Sequence, residues 1–155
     1  MTAEAGAPVL EIAEVVRLAV APVFLLSGVG VTLTLLTSRL ARVIDRARAL
    51  EGDRTQPGIH LGDLEGRLLT LSTRARLLGR AITLCTICAL LVSMVVVTLF
   101  LGALFNIPVA LVIAAEFIVA MFSFIGGLLY FLREVFVATR TLRIGLSHAG
   151  DGRVP

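Results

Sequence analysis

"AITLCTICALLVSMVVVTLFLGALFNIPVALVIAAEFIVAMFSFIGGLLYFL", residues 81–132, is a run of 52 residues with a single charge, Glu116. A helix needs about 20 apolar residues to cross the hydrocarbon core of a bilayer, so this run has room for two spans. It is divided by "FNIP" at 105–108, where Asn106 and Pro108 break a helix and can start the next one. A second uncharged run, 21 residues long, lies between Arg17 and Arg39 and accommodates one more span. The chain is therefore predicted to be all-α and integral to a membrane. Its three transmembrane helices are placed at roughly 18–38, 81–104 and 109–132.

Composition supports the same class. Of 155 residues 57% are hydrophobic and 16% charged, and the mean hydropathy of +0.98 is well above that of a soluble domain. The segment "MTAEAGAPVLEIAEVVR" before the first span carries Glu4, Glu11 and Glu14 against Arg17. Cleaved signal peptides begin with a short basic region, so the first span is expected to stay as an anchor.

A formal net charge of +3 and a pI near 9.6 would suit nucleic acid, but the placement of the charges speaks against that partner. Nine arginines (39, 42, 46, 48, 54, 67, 74, 76 and 80) fall between spans one and two, and Arg133, Arg140, Arg143 and Arg153 follow span three. With three spans, both basic segments fall on one side, as the positive-inside rule requires. The N-terminus is expected outside and the C-terminus in the cytoplasm, with Arg39, Arg80 and Arg133 flanking the spans. The chain has no lysine. A GC-rich genome produces that bias by itself, and arginine also suits lipid phosphates.

Catalytic chemistry is not expected. Cys85 and Cys88, in "CTIC", sit one turn apart inside span two, without solvent access or further ligands, and read as buried apolar filler. His60 and His148 have no companions at ligand spacing. No nucleophile triad, phosphate loop or paired carboxylate site is recognisable. The expectation is a non-enzyme with no cofactor and no metal.

The connection 39–80 has a pattern of its own. Leu33, Leu36, Leu40, Val43, Ala47 and Leu50 follow a 3-4 spacing out of span one. Leu61, Leu64, Leu68, Leu71, Ala75 and Leu78 do the same into span two. Such spacing makes a narrow apolar seam along which two helices pack. Between them "EGDRTQPG" at 51–58 holds Gly52, Pro57 and Gly58, where a turn is expected. The prediction is a single membrane domain, 1–155, in which a cytoplasmic antiparallel helical hairpin extends spans one and two. Gly62 and Gly66 weaken the start of the second arm, and Asp63 could cap it. Arg42, Asp45 and Arg48 form a solvated face with weak ion pairs. The hairpin serves either as an internal stalk or as a surface for a partner chain or a sister subunit. The tail 133–155 is expected to continue as a cytoplasmic helix near the headgroups.

Within the spans, polar and small residues line up. Span one carries Pro22, where a kink is expected, then Ser27, Gly28 and Gly30, which admit another helix closely. Thr34 and Ser38 extend that line inward. In span three Glu116, Ser123 and Tyr130 recur every seven residues with Ala120 and Gly127 between them. Ile113, Phe117, Phe124 and Phe131 form a bulky opposite face. A carboxylate on a lipid-facing surface would cost several kcal/mol, so Glu116 must face the bundle, a subunit interface or water. Ser27 and Thr98 lie at the same depth, with Ser93 one further turn inward, and offer hydroxyls to it. Two roles stay open for Glu116: hydrogen-bonding glue between helices, or a cation or proton site in a pathway.

"APVFLLSGVGVTLTLLTSRLARVIDRARAL" (21–50) and "RARLLGRAITLCTICALL" (74–91) resemble the bacterial integral membrane proteins grouped as domain-of-unknown-function family two-seven-two-one. The likeness covers roughly residues 10–140, its most specific parts being the Pro-x-x-Leu-Leu-Ser-Gly start of span one and "SRLARVIDRARAL" at its exit. The resemblance implies a small three- or four-pass protein of the bacterial inner (cytoplasmic) membrane, and brings no activity, cofactor or catalytic residue. Two functions fit. The first is a homo-oligomeric conduit for ions or another small solute, since three helices are too few to enclose a pathway alone. The alternative is a non-conducting scaffold or accessory subunit whose cytoplasmic hairpin binds a partner protein. The expected partners are the lipid bilayer, further copies of the chain and a cytoplasmic protein.

Overall fold

The computed structural model describes residues 6–52 and 61–148, with side chains described over 13–52 and 65–139. Three α-helices account for nearly all of these residues: α1 Gly6–Gly52, α2 Leu61–Phe105 and α3 Ala110–His148. Each contains a segment long and apolar enough to cross a membrane. Each also runs past its uncharged run, and in α1 and α2 the apolar seam continues there at helical spacing. α1 is continuous through Pro22, which lies on its buried side. α2 begins at Leu61, ahead of the expected Asp63 cap, since a glycine such as Gly62 lowers helix propensity without ending a helix. The turn expected at 51–58 lies, from residue 53 on, outside the described residues, as do Arg54 and His60.

The break between α2 and α3 is built by residues 102–109. Asn106 has a φ of 51°, the left-handed region that asparagine enters more readily than most residues. The N–H of Ile107 donates to the carbonyl of Gly102 at 3.1 Å, the six-to-one bond of a Schellman cap. Pro108 follows, where a helix cannot continue. The Val109 carbonyl then accepts the first bond of α3, from Ile113 at 3.0 Å. So Asn106 ends the helix, and Pro108 stands before the next one rather than inside its first turn. Gly102 is buried at this corner, where a Cβ would run into the Val109 side chain.

The helices contribute to two compact units. One combines the α1 segment up to Thr34 with Thr83–Gly126; the other combines Leu35–Ile82 with α3 from Gly127 onward. In the first, Ala19, Val29, Cys85, Cys88, Val92, Val95 and Ala120 are buried. In the second, Leu36, Val43, Leu78, Ala81 and Gly127 are buried, together with one charged residue, Glu134. The remaining seam residues with described side chains, among them Leu40, Ala47, Leu68 and Ala75, are half-buried.

Candidate functional site

In the first unit, the polar stripe of α3 faces α2. The Thr98 hydroxyl lies 3.2 and 3.3 Å from the two carboxylate oxygens of Glu116. Ser123, two turns on, donates to the Leu84 carbonyl at 3.0 Å. Gly126 lets α3 approach closely, since a Cβ there would stand 3.3 Å from the Leu84 side chain. The other hydroxyls expected near Glu116 go elsewhere. Ser27 donates to Val23 O and Ser93 to Ala89 O, each within its own helix. An apolar surrounding favours that choice, because a hydroxyl finds its nearest acceptor one turn back.

The polar line of α1 points away from this unit's interior. Ser27, Gly28, Gly30 and Thr34 are exposed, and nothing stands within 4 Å of a Cβ built on either glycine. Thr34 donates to Gly30 O at 3.1 Å, and the exposed Ser38 to Leu35 O at 2.9 Å. The structure brings Glu116 to Thr98, and leaves open space where a side chain at Gly28 or Gly30 would stand.

The second unit holds a cluster that sequence reasoning missed. Glu134 of α3 is completely buried, and its Oε1 accepts two bonds from Arg74 of α2, 2.9 Å from Nε and 2.6 Å from Nη2. Arg39 of α1 completes the cluster, its Nη1 lying 3.5 Å from Oε2. Oε2 itself has no hydrogen-bond partner, so the Arg39 contact is a looser ion pair. A buried carboxylate tolerates its surroundings only when charges of opposite sign are close, and here two helices each supply one. A signal was present in the sequence. The step of seven from Ala120 to Gly127 repeats once more to reach Glu134, and all three are buried.

Two arginines of the flanking set, Arg39 again and Arg80, lie over aromatic rings of α3. Arg39 lies over Phe131, its Cζ 5.1 Å from the ring centroid, and Arg80 lies over Tyr130 at 5.8 Å. Such pairs are attractive because the ring face is electronegative. Arg133 is exposed. Cys85 and Cys88 are free thiols on the buried side of α2. Among the described residues, no group of three His, Cys, Asp or Glu is arranged to hold a metal.

The sequence profile described as "Protein of unknown function (DUF2721)" matches residues 19–144. The chain belongs to this family. No curated protein and no solved structure matches it. The matched DUF2721 region takes in both polar clusters, from Arg39 through Thr98 and Glu116 to Glu134. It also takes in a groove of about 700 Å³ in the second unit, between α1 and α2. Val43, Ala47, Leu68, Leu71 and Ala75 line it with the more exposed Ile44 and Leu69, and Arg48, Glu51 and Glu65 stand at its edges.

Proposed function

We propose that this chain is a non-conducting membrane scaffold whose cytoplasmic arms dock a partner protein. The observation that carries the reading is where the polar groups of the spans go. Glu116 and Ser123 bond to α2 within the same chain, and Ser27, Thr34 and Ser38 bond to carbonyls of their own helix. A pathway for ions needs polar groups turned toward water. Glu116 and Ser123, satisfied inside one chain, serve as glue between α2 and α3 instead.

On this reading the three apolar segments cross the bacterial cytoplasmic membrane with the N-terminus outside. The segments of α1 and α2 beyond the spans form an antiparallel hairpin in the cytoplasm, tied to α3 by Glu134. The groove between the arms supplies the docking surface. Its apolar floor and mixed-charge edges suit an amphipathic helix of a cytoplasmic protein, laid in with its apolar stripe down. Copies of the chain associate through the small-residue face of α1.

Flux through the purified chain in liposomes tests the reading. Proton and potassium leak should match that of empty vesicles across the pH range. Leak above that level, altered by Glu116→Gln, would return the conduit to first place. Orientation is checked separately with Gln56→Cys, which an impermeant thiol reagent should leave unlabelled in intact cells. Labelling from outside would invert the topology.

A further inference from the structure

We propose that Arg39 and Arg80, held against the rings of the consecutive residues Phe131 and Tyr130, bind phosphate ester anions at the inner end of the spans. The inference rests on the reading of α1–α3 as membrane spans. Arg39 ends the uncharged run of α1 and Arg80 precedes that of α2, so both lie at headgroup depth on that reading. Consecutive residues of α3 hold them there, 5.1 and 5.8 Å from the ring centroids. Long side chains that would otherwise be mobile are thereby positioned, and little rotamer freedom remains to be lost on binding.

Charge and donor count point the same way. Glu134 is committed to Arg74, which holds its Oε1 by two bonds and is only 19% exposed. Arg39 meets Glu134 at 3.5 Å without a hydrogen bond, and is 37% exposed. Two arginines face one carboxylate, leaving a positive charge over, and the exposed Arg80 adds another. A guanidinium has five N–H donors in a fork that matches the oxygens of a phosphate. An acidic phospholipid presents that group at this depth, and a soluble phosphate ester presents the same chemistry from the cytoplasm.

Native mass spectrometry of the full chain in mild detergent tests this, with phosphatidylglycerol and phosphatidylcholine offered together. The wild-type chain should retain phosphatidylglycerol preferentially. The double variant Arg39→Gln, Arg80→Gln should lose that preference by about tenfold or more, two bidentate contacts being removed. Arg80→Gln alone should lose part of it. That variant leaves Arg39, Arg74 and Glu134 in place, and an unfolding temperature equal to wild type should accompany its loss of preference. Arg76→Gln, an exposed arginine elsewhere on α2, should behave as wild type. Equal retention by wild type and the double variant would overturn the site, as would an equal loss in Arg76→Gln. Competition by soluble glycerol phosphate at millimolar concentration would keep the site but make its ligand a free ester. A chain that alkaline carbonate strips from membranes would overturn the membrane reading and the site with it. A chain that resists carbonate yet shows no lipid preference would overturn the site alone.

Discussion

Glu134 is buried between two arginines, whereas Glu116, on the same helix, is half-buried and meets a single hydroxyl. The energetic consequences differ. Removing one partner of a buried ion pair leaves the other charge unpaired, at a cost of about 3–5 kcal/mol, while replacing the pair with apolar groups is often neutral. Glu134→Ala should therefore lower the unfolding temperature of the purified chain sharply, and Glu134→Leu combined with Arg74→Leu should recover most of the loss. Equal unfolding temperatures for wild type and Glu134→Ala would mean that the cluster contributes nothing. For Glu116 the stake is smaller, since hydrogen bonds between helices in a bilayer average about 0.6 kcal/mol. Glu116→Gln keeps an acceptor for Thr98 and should match wild type. Glu116→Leu should lose about 1 kcal/mol or less in the same measurement, with no change in leak. The two residues were not equally legible. Glu116 announces itself by interrupting an apolar run. Glu134 follows Arg133 and looks like one more solvated charge at a span's end, and only the three-dimensional meeting of Arg39, Arg74 and α3 shows what holds it.

At the scale of the helices, the uncharged runs made the three apolar segments readable, because length and charge alone limit what can cross a bilayer. The corner between α2 and α3 was readable in kind but not in detail. "FNIP" marks a break, but the Schellman bond from Ile107 to Gly102 depends on backbone angles that composition does not encode. The close contact of Gly102 with Val109 supplies a direct test. Gly102→Ala puts a methyl group against a stiff, β-branched side chain, and overpacking of this kind costs about 1–3 kcal/mol. Thermal unfolding in detergent should show the loss, and Gly102→Ala with Val109→Ala should restore much of it. A single variant as stable as wild type would show that the corner opens without cost. Asn106→Gly should be tolerated, since glycine enters the left-handed region freely, and Asn106→Val should not.

For the whole molecule, the decisive quantity is how little of its apolar surface the chain covers by itself. In the most apolar window of each helix only 17–22% is buried. Phe24, Leu104, Leu111 and Phe122 are each at least 70% exposed. In a bilayer such surface is satisfied by lipid, and association between chains needs something more than apolarity, namely close packing. The α1 face of Ser27, Gly28 and Gly30 has the required smoothness. It is exposed, nothing stands within 4 Å of a Cβ built on either glycine, and Ser27 is already bonded to Val23 O. Neither composition nor spacing reveals which small residues are left for a second copy, because Gly126 and Gly127 in α3 look alike in sequence and pack within the chain. The expected outcome is that wild type migrates as an oligomer in mild detergent and that Gly28→Leu with Gly30→Leu migrates as a monomer. Leucine is a better helix former than glycine by somewhat less than about 1 kcal/mol per residue, and a Cβ at either position meets open space, so the fold of one chain should be at least as stable. Light scattering for mass and thermal unfolding for stability separate the two effects. A monomeric wild type, or a double variant that keeps the wild-type mass, would remove α1 from the interface.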